Sequence, residues 1–224
     1  MEPKAVILVA GGKGLRMGAD CPKQFLELSG KPVLMHSMEA FHQADPNMPI
    51  VLVLPVEHQA FWQDLCNKYA FRVPHVVANG GVNRFESVRN GLKWIQDAAF
   101  VAVHDGVRPL VSKALIDRCF DEAFRYGAVV PWIPVQESLR FLNETSCMAV
   151  DRERYRVVQT PQVFRTAWLR EAYSQAYESC FTDDASVVER IGYTVHGVEG
   201  DIQNIKITRP VDLVLAAYYL KQKR

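Results

Sequence analysis

Short apolar runs alternate along the chain with stretches in which apolar residues recur at helical spacing. The runs lack regular polar positions, which is typical of strands buried on both faces of a parallel sheet. They predict strands at 5–10, 50–55, 75–78, 100–104 and 128–133. The stretches between them predict helices, with apolar stripes at Leu34, Met38 and Phe41, at Phe61, Leu65 and Tyr69, at Val88, Leu92 and Ile95, and at Leu115, Cys119 and Ala123. This alternation predicts an α/β fold in which helices cover both faces of a mostly parallel sheet.

The alternation ends at Pro134. The segment 134–158 has short apolar runs around the turn sequence "NETS" and no helix long enough to connect parallel strands. We expect a protruding antiparallel β-arm here, within a single domain that spans 1–224. Because the apolar residues of such an arm need a covering partner, the arm predicts a homodimer. Downstream, the pattern predicts helices around 165–179 and 183–191, strands at 193–198 and 202–207, and a last helix from Pro210.

The composition narrows the possible function classes. The 224 residues include 26 basic and 25 acidic ones, so no overall positive field favours nucleic acid or an anionic membrane as a partner. The five cysteines form no CxxC pair, which favours a reduced, cytoplasmic protein, and the first apolar run is too short to span a membrane. The six histidines lack zinc-binding spacings. Because the net charge is only +1, any anion-binding site must be a local cluster of positive charges.

The first predicted strand is followed by the glycine-rich stretch "GGKGLRM". Gly11, Gly12 and Gly14 let the backbone turn sharply and bring its N–H groups close to an anion. The stretch is not a Walker A loop and not a clean dinucleotide fingerprint, and a simple tight turn would use the same glycines. Two cations favour a nucleotide-phosphate loop, because Arg16 and the Lys23 of "CPKQF" could offset charge on a reacting phosphate. Lys13 has no role that the sequence explains.

The third predicted strand is also followed by glycines and a helix start, in "GGVNRFESV". Gly80 and Gly81 could approach a base or ribose, and Arg84 and Ser87 offer hydrogen bonds from the first helical turns. An ordinary turn with a surface ion pair at Arg84 explains the pattern equally well.

The fourth strand ends in "VHDGVRP". Ligands of open parallel sheets bind at the carboxyl ends of strands, so Asp105 is placed to meet a metal ion or ribose hydroxyls, with Arg108 as its support. An aspartate that caps the next turn is the alternative. His104 is expected to be packed rather than catalytic.

The C-terminal half adds two cations and three hydroxyls in short polar motifs. Arg152 lies in "VDR" and Lys206 in "NIKITRP". The hydroxyls suit a polyol or a phosphate and belong to Ser138, Thr160 and Thr182. The motif "TDDAS" also has the pattern of a helix N-cap followed by acidic residues.

Taken together, "AGGKGLRM", "CPKQ", "HDGVRP", "VDR", "QTPQ", "TDDAS" and "NIKITRPVDL" resemble the 2-C-methyl-D-erythritol 4-phosphate cytidylyltransferases of the non-mevalonate isoprenoid route. The resemblance covers essentially the whole chain, with the motifs in order. It implies a Rossmann-like domain, a homodimer linked by β-arms, and a reaction of CTP with the polyol phosphate that releases pyrophosphate with the help of Mg²⁺.

The resemblance also implies roles for individual positions. Arg16 and Lys23 would stabilise the transition state, and Arg152 and Lys206 would position the polyol phosphate. The nucleotide-facing positions would be Ala10, Gly11, Gly12, Gly80, Arg84, Ser87, Asp105 and Gly106. Gly14 and Gly81 extend this set, Asp105 is the candidate metal ligand, and the candidate substrate contacts are Arg108, Ser138, Thr160 and Thr182.

Some positions depart from the family pattern. Gly106 and Val107 replace a usual alanine pair, Ser138 replaces a threonine, and Val82 stands where an acidic residue is common. Ribitol-5-phosphate cytidylyltransferases share the glycine loop and the "HDxVRP" form, so they are the alternative family. "VDR", "TDDAS" and "NIKITRP" favour methylerythritol phosphate.

Two further function classes are alternatives to a cytidylyltransferase. A nicotinamide oxidoreductase would also use a glycine loop, but it needs an acidic residue at the end of the second strand, where this chain has Pro55. A non-catalytic nucleotide-binding module would not need four separately placed cations.

A phosphate monoester nucleophile is largely a dianion at pH 7, so the predicted reaction needs no general base.

Overall fold

The computed structural model describes residues 2–11 and 21–222. Its strands are β1 (Lys4–Val9), β2 (Glu27–Leu28), β3 (Lys31–Pro32), β4 (Ile50–Leu54), β5 (Val76–Asn79), β6 (Phe100–Asp105), β7 (Ala128–Pro134), β8 (Leu139–Leu142), β9 (Cys147–Val150), β10 (Arg156–Val158), β11 (Gln162–Arg165) and β12 (His196–Glu199). Its α-helices are α1 (Val33–Ala44), α2 (Val56–Lys68), α3 (Arg84–Leu92), α4 (Lys113–Tyr126), α5 (Thr166–Ala172), α6 (Asp184–Glu189) and α7 (Pro210–Gln222).

The main sheet runs in the order β10-β7-β11-β6-β1-β4-β5, with β12 paired to β7. The strands β6, β1, β4 and β5 are mutually parallel, whereas β11 runs antiparallel between β6 and β7. The predicted mostly parallel sheet is therefore confirmed. In the register, Val9 lies opposite both Val53 and Asp105, so the carboxyl ends of the central strands meet at one edge.

Helices cover both faces of the sheet, as the apolar pattern predicts. Along β1, Val6 and Leu8 pack with residues of α1, α2 and α4, whereas Ala5 and Ile7 pack with residues of α3, α5 and α6. One predicted stripe is partly wrong, because Phe61 is exposed and Trp62 takes its place in the core. These two apolar layers fix the positions of the strand ends, and therefore of the polar residues that follow each strand.

The predicted β-arm contains an antiparallel hairpin, β8 paired with β9, that forms a sheet of its own. Asn143 builds its turn, since its side-chain oxygen accepts hydrogen bonds from the backbone N–H groups of Thr145 (3.0 Å) and Ser146 (2.7 Å). Three large apolar side chains of the hairpin are at least half exposed: Phe141, Leu142 and Met148.

The C-terminal half corrects two predicted elements. The helix expected at 165–179 ends at Ala172, where the side chains of Ser174 and Gln175 bond the carbonyls of the last turn and so compete with further helical hydrogen bonds. The strand expected at 202–207 does not form. The Asn204 side chain bonds the Thr160 carbonyl at 2.8 Å, and Ile207 N–H bonds Val107, so these residues pair with loops instead of a sheet neighbour.

The predicted strand at 193–198 is present as β12, and α7 begins at Pro210 as expected. Within residues 2–11 and 21–222, no helix has the length and apolarity that crossing a bilayer requires.

Candidate active site

A cavity of about 220 Å³ opens at the edge where the parallel strands end. It is bounded by the ends of β1 and β6, by the turn before α3, and by the segment that precedes α7. The cavity gathers eight of the predicted residues: Ala10, Gly11, Lys23, Gly81, Arg84, Ser87, Asp105 and Lys206. Segments that are far apart in the sequence thus supply one charged site.

Asp105 is the centre of a cluster of cations. Its carboxylate lies 2.9 Å from Lys206 Nζ, 3.5 Å from Arg108 Nε and 3.7 Å from Arg84 Nε. Burial alone would raise the pKa of Asp105, but Arg84, Lys206 and Arg108 outweigh it and hold the pKa well below its ordinary value. Asp105 therefore holds Lys206 and Arg84 at the cavity and Arg108 behind it.

A chain of hydrogen bonds behind the cavity fixes the end of β6. The Asp105 N–H donates to Thr160 Oγ1 at 3.1 Å, and this hydroxyl lies 3.0 Å from His104 Nδ1. His104 Nε2 lies 3.2 Å from the Arg108 carbonyl, which can only accept, so Nε2 carries the proton and Nδ1 accepts from Thr160. Burial lowers the pKa of His104 to about 3, so the imidazole is neutral. His104 is packed, as predicted.

Lys23 is held in place by its neighbours in a short 3-10 helix, Lys23–Phe25. Gln24 is fully buried and donates from Nε2 to the Ala10 carbonyl at 2.8 Å, which ties this turn to the end of β1. Phe25 packs its ring against Trp62 of α2 at 6.3 Å between centroids. Gln24 and Phe25 therefore anchor the turn that carries Lys23 to the end of β1 and to α2.

The turn before α3 depends on a glycine and a serine. A Cβ atom on Gly81 would lie 2.2 Å from Glu86 Cβ, so the turn has no room for a side chain there. Ser87 Oγ accepts from the Gly81 N–H at 3.0 Å and donates to the Asn83 carbonyl at 2.9 Å. These contacts bring the turn against the cavity.

Other predicted residues lie away from this cavity. Arg108, Thr160 and Gly106 are buried behind it, and Gly80 N–H bonds the end of β4. Ser138, Arg152 and Thr182 are exposed and do not line it. Arg152 Nη1 instead donates to the Gln136 carbonyl within the arm at 2.5 Å. The loop residues Gly12, Lys13, Gly14 and Arg16 lie outside the described residues.

Sequence reasoning missed three buried polar residues around the cavity: Gln24, Asp184 and Asn204. Asp184 has no exposed surface and binds Arg84 through two hydrogen bonds, of 2.8 and 2.7 Å. The motif "TDDAS" contains it, but an acidic first helical turn is expected for capping alone. Only its contact with Arg84, which lies 100 positions away in the sequence, shows that Asp184 is an ion-pair partner and not simply an acidic residue of a first helical turn.

Comparison with known proteins gives a consistent result. The sequence matches the family model described as "IspD: 2-C-methyl-D-erythritol 4-phosphate cytidylyltransferase" over residues 4–222. It is similar to two proteins that carry this enzyme name. One, from Porphyromonas gingivalis, is 57% identical over 222 residues, or 98% of this chain and 99% of that protein. The other, from Bacteroides thetaiotaomicron, is 52% identical over 217 residues, or 97% and 99% of the two chains.

Solved structures agree with the sequence match. The structure is similar to the 2-C-methyl-D-erythritol 4-phosphate cytidylyltransferase of Thermus thermophilus, with a TM-score of 0.80 and 35% identity, covering 99% of this chain and 100% of that one. The enzyme of the same name from Francisella tularensis gives a TM-score of 0.79 at 29% identity, covering 97% and 99%. Because the match spans nearly the whole of each chain, this protein belongs to the 2-C-methyl-D-erythritol 4-phosphate cytidylyltransferase family.

Proposed function

We propose that the cavity at the sheet edge is the site in which the phosphate of methylerythritol phosphate attacks the α-phosphate of CTP in line and displaces pyrophosphate. As a member of its family, the protein is a cytidylyltransferase of isoprenoid precursor biosynthesis. One observation carries the assignment of the site. Lys23, Arg84 and Lys206 reach one cavity at the carboxyl ends of parallel strands, where ligands of such sheets bind.

The reaction needs charge compensation more than proton transfer. The second pKa of a phosphate monoester is about 6, so the nucleophile is largely a dianion at pH 7 and needs no general base. Among the described residues, no histidine lines the cavity. The main obstacle is repulsion, because this dianion approaches a triphosphate with about four negative charges.

The cations divide into two groups with different tasks. Arg108 is buried against Asp105 behind the cavity, and Arg84 is paired with Asp184, so Arg84 faces the nucleotide as a fixed hydrogen-bond donor rather than as an uncompensated charge. Lys206 also contacts Asp105, at 2.9 Å, but its side chain is 42% exposed and lines the cavity. We assign the compensation of substrate charge to Arg16, Lys23, Arg152, Lys206 and one Mg²⁺. Together they carry about six positive charges, which offset about six negative charges on the two substrates. Lys23 and Arg16 act on the charge that develops at the α-phosphate, and Lys206 and Arg152 orient the attacking phosphate.

The cavity suits a Mg²⁺ ion that arrives with the nucleotide. Of its described lining residues, Asp105 alone is a carboxylate. Mg²⁺ is commonly held by one or two carboxylates together with substrate phosphates, so Asp105 and the triphosphate would share the ion. Once bound, it would offset negative charge on the triphosphate.

We assign Arg152 to the active site of a second copy of the chain. It lies on the arm together with Ser138, outside the cavity that contains Lys206. The exposed Phe141, Leu142 and Met148 give the arm an apolar surface that a second copy can cover. A homodimer in which arms cross would complete each site with the partner's arm.

Mixing inactive subunits tests this arrangement. Randomly paired Lys23→Ala and Arg152→Ala chains should recover about a quarter of wild-type activity, because half of the dimers are mixed and each mixed dimer contains one complete site. As the matched control, Lys23→Ala mixed with Lys206→Ala should recover nothing, since both residues act in the same chain. Equal results for the two mixtures would show that Arg152 does not act in its partner's site.

The function itself is tested by turnover. The purified protein should release pyrophosphate from CTP only when methylerythritol phosphate is present, with formation of the CDP-linked polyol. If the protein binds CTP but releases no pyrophosphate with any polyol phosphate, the result would favour a non-catalytic nucleotide-binding module instead.

A further inference from the structure

Arg84 is held at the cavity by a buried partner. Its Nη1 and Nη2 atoms donate to the two carboxylate oxygens of Asp184, at 2.8 and 2.7 Å. Its Nε atom faces Asp105 at 3.7 Å, and its side chain is 31% exposed. A two-point pair of this kind fixes both the position and the plane of a guanidinium group. The direction in which Arg84 faces the cavity is therefore set by Asp184.

Asp184 has no other evident task. Asp183 caps α6, because its side chain accepts from the Ser186 N–H at 2.9 Å and the Ser186 hydroxyl completes the capping box. Asp184 comes one position later and has no exposed surface. Burying a carboxylate is costly unless it is paired and hydrogen-bonded, so a helix start alone does not account for this residue.

Tyr173 completes the contact from the other side. Its hydroxyl donates to Asp184 Oδ1 at 2.6 Å, and its ring stacks on Phe85, the residue after Arg84, at 4.6 Å between centroids. Burial raises the pKa of Tyr173 well above its ordinary value, and Asp184 raises it further, so the hydroxyl stays protonated and acts as a donor. The carboxylate therefore has a fixed partner on each side.

The start of α6 is tied to the sheet as well. Gln162 of β11 donates from Nε2 to Asp183 at 2.8 Å, and its Oε1 accepts from the Ala185 N–H at 2.9 Å. Because β11 pairs with β6, the strand that carries Asp105, both acidic partners of Arg84 are attached to neighbouring strands. The Arg84 guanidinium thus lies between the carboxylates of Asp184 and Asp105, whose positions are linked through the paired strands β11 and β6.

We infer that Asp184, supported by Tyr173, is a positioning residue for nucleotide binding: it holds the Arg84 guanidinium in the orientation that meets CTP. This inference rests on the proposed function, in which Arg84 faces the nucleotide. Asp184 acts through Arg84 and does not itself touch the substrates.

A double-mutant cycle separates positioning from simple stabilisation. Asp184→Asn should raise the KM and the Kd for CTP about tenfold, the value of a charged hydrogen-bonded pair, while kcat changes less than about threefold. In an Arg84→Ala background, the same substitution should change the Kd for CTP less than about twofold. An equal change in both backgrounds would overturn the inference while leaving the proposed function intact.

Two further variants keep the test decisive. Leu169→Ala removes a fully buried side chain from the same core, so it should lower stability without changing the KM for CTP. Tyr173→Phe retains Asp184 and its pairing to Arg84, so it remains informative if Asp184→Asn does not fold. It should raise the Kd for CTP about two- to threefold when Arg84 is present and leave it unchanged when Arg84 is alanine. A wild-type protein that neither binds CTP nor releases pyrophosphate would instead contradict the proposed function.

Discussion

Lys23→Ala is expected to lower kcat about 100- to 1000-fold while the protein stays folded. The reason is that a fixed cation at the reacting phosphate stabilises charge that appears only in the transition state, so its loss falls on kcat more than on KM. The fold should persist because Gln24 and Phe25 attach this turn to β1 and α2, and both are retained in the variant.

The measurement is steady-state pyrophosphate release together with a urea unfolding curve for each variant. Lys113→Ala is the matched control, since Lys113 is an exposed lysine paired with Asp117 on α4, away from the cavity. It should leave kcat unchanged. Near-normal turnover of Lys23→Ala would show that this lysine does not act in the transition state.

Asp105→Asn is expected to lower both activity and stability. The substitution leaves Lys206, Arg108 and Arg84 without their shared counter-charge, and breaking a largely buried ion pair from one side costs about 3 kcal/mol of unfolding free energy. The three cations then repel one another, so kcat/KM for CTP should fall at least about tenfold.

The pH dependence gives this prediction a definite sign. The folded state holds the pKa of Asp105 below its unfolded value of about 3.9, so its contribution is complete above that pH and is lost as the pH falls below it. The stability difference between wild type and Asp105→Asn should therefore be constant near pH 7 and shrink below about pH 4. Asp117→Asn, at an exposed pair, is the control. A neutral effect of Asp105→Asn at pH 7 would contradict the role of Asp105 as the centre of the cluster.

The part of the site that the sequence could predict lies at strand ends. Apolar runs identify the strands, and Ala10, Gly81 and Asp105 each lie at or just after the carboxyl end of one. Since parallel strands end at one edge, these residues had to be neighbours once the sheet was parallel. The fold class follows from the same regularity.

The remaining parts depend on contacts that no local pattern contains. The segment 202–207 has the apolar residues of a strand, but it is held by loop contacts and has no sheet partner among the described residues. The Gln159 side chain bonds the carbonyl of Asp201, just before the segment, and the Asn204 side chain bonds the Thr160 carbonyl. The pairing of Arg84 with Asp184 joins residues 100 positions apart in the sequence, and a helix-capping pattern accounts for the same acidic residues locally. The proposed role of Arg152 in a partner subunit requires a second chain, which a single sequence does not specify.

The most direct measurement of the central claim is the ratio of kcat/KM for the two polyol phosphates, assayed in parallel with CTP, with the nucleotide products identified by mass spectrometry. Polar groups that are matched to one polyol reject an analogue that leaves them unpaired, so methylerythritol phosphate should be preferred at least about 100-fold. A preference for ribitol 5-phosphate would contradict the account.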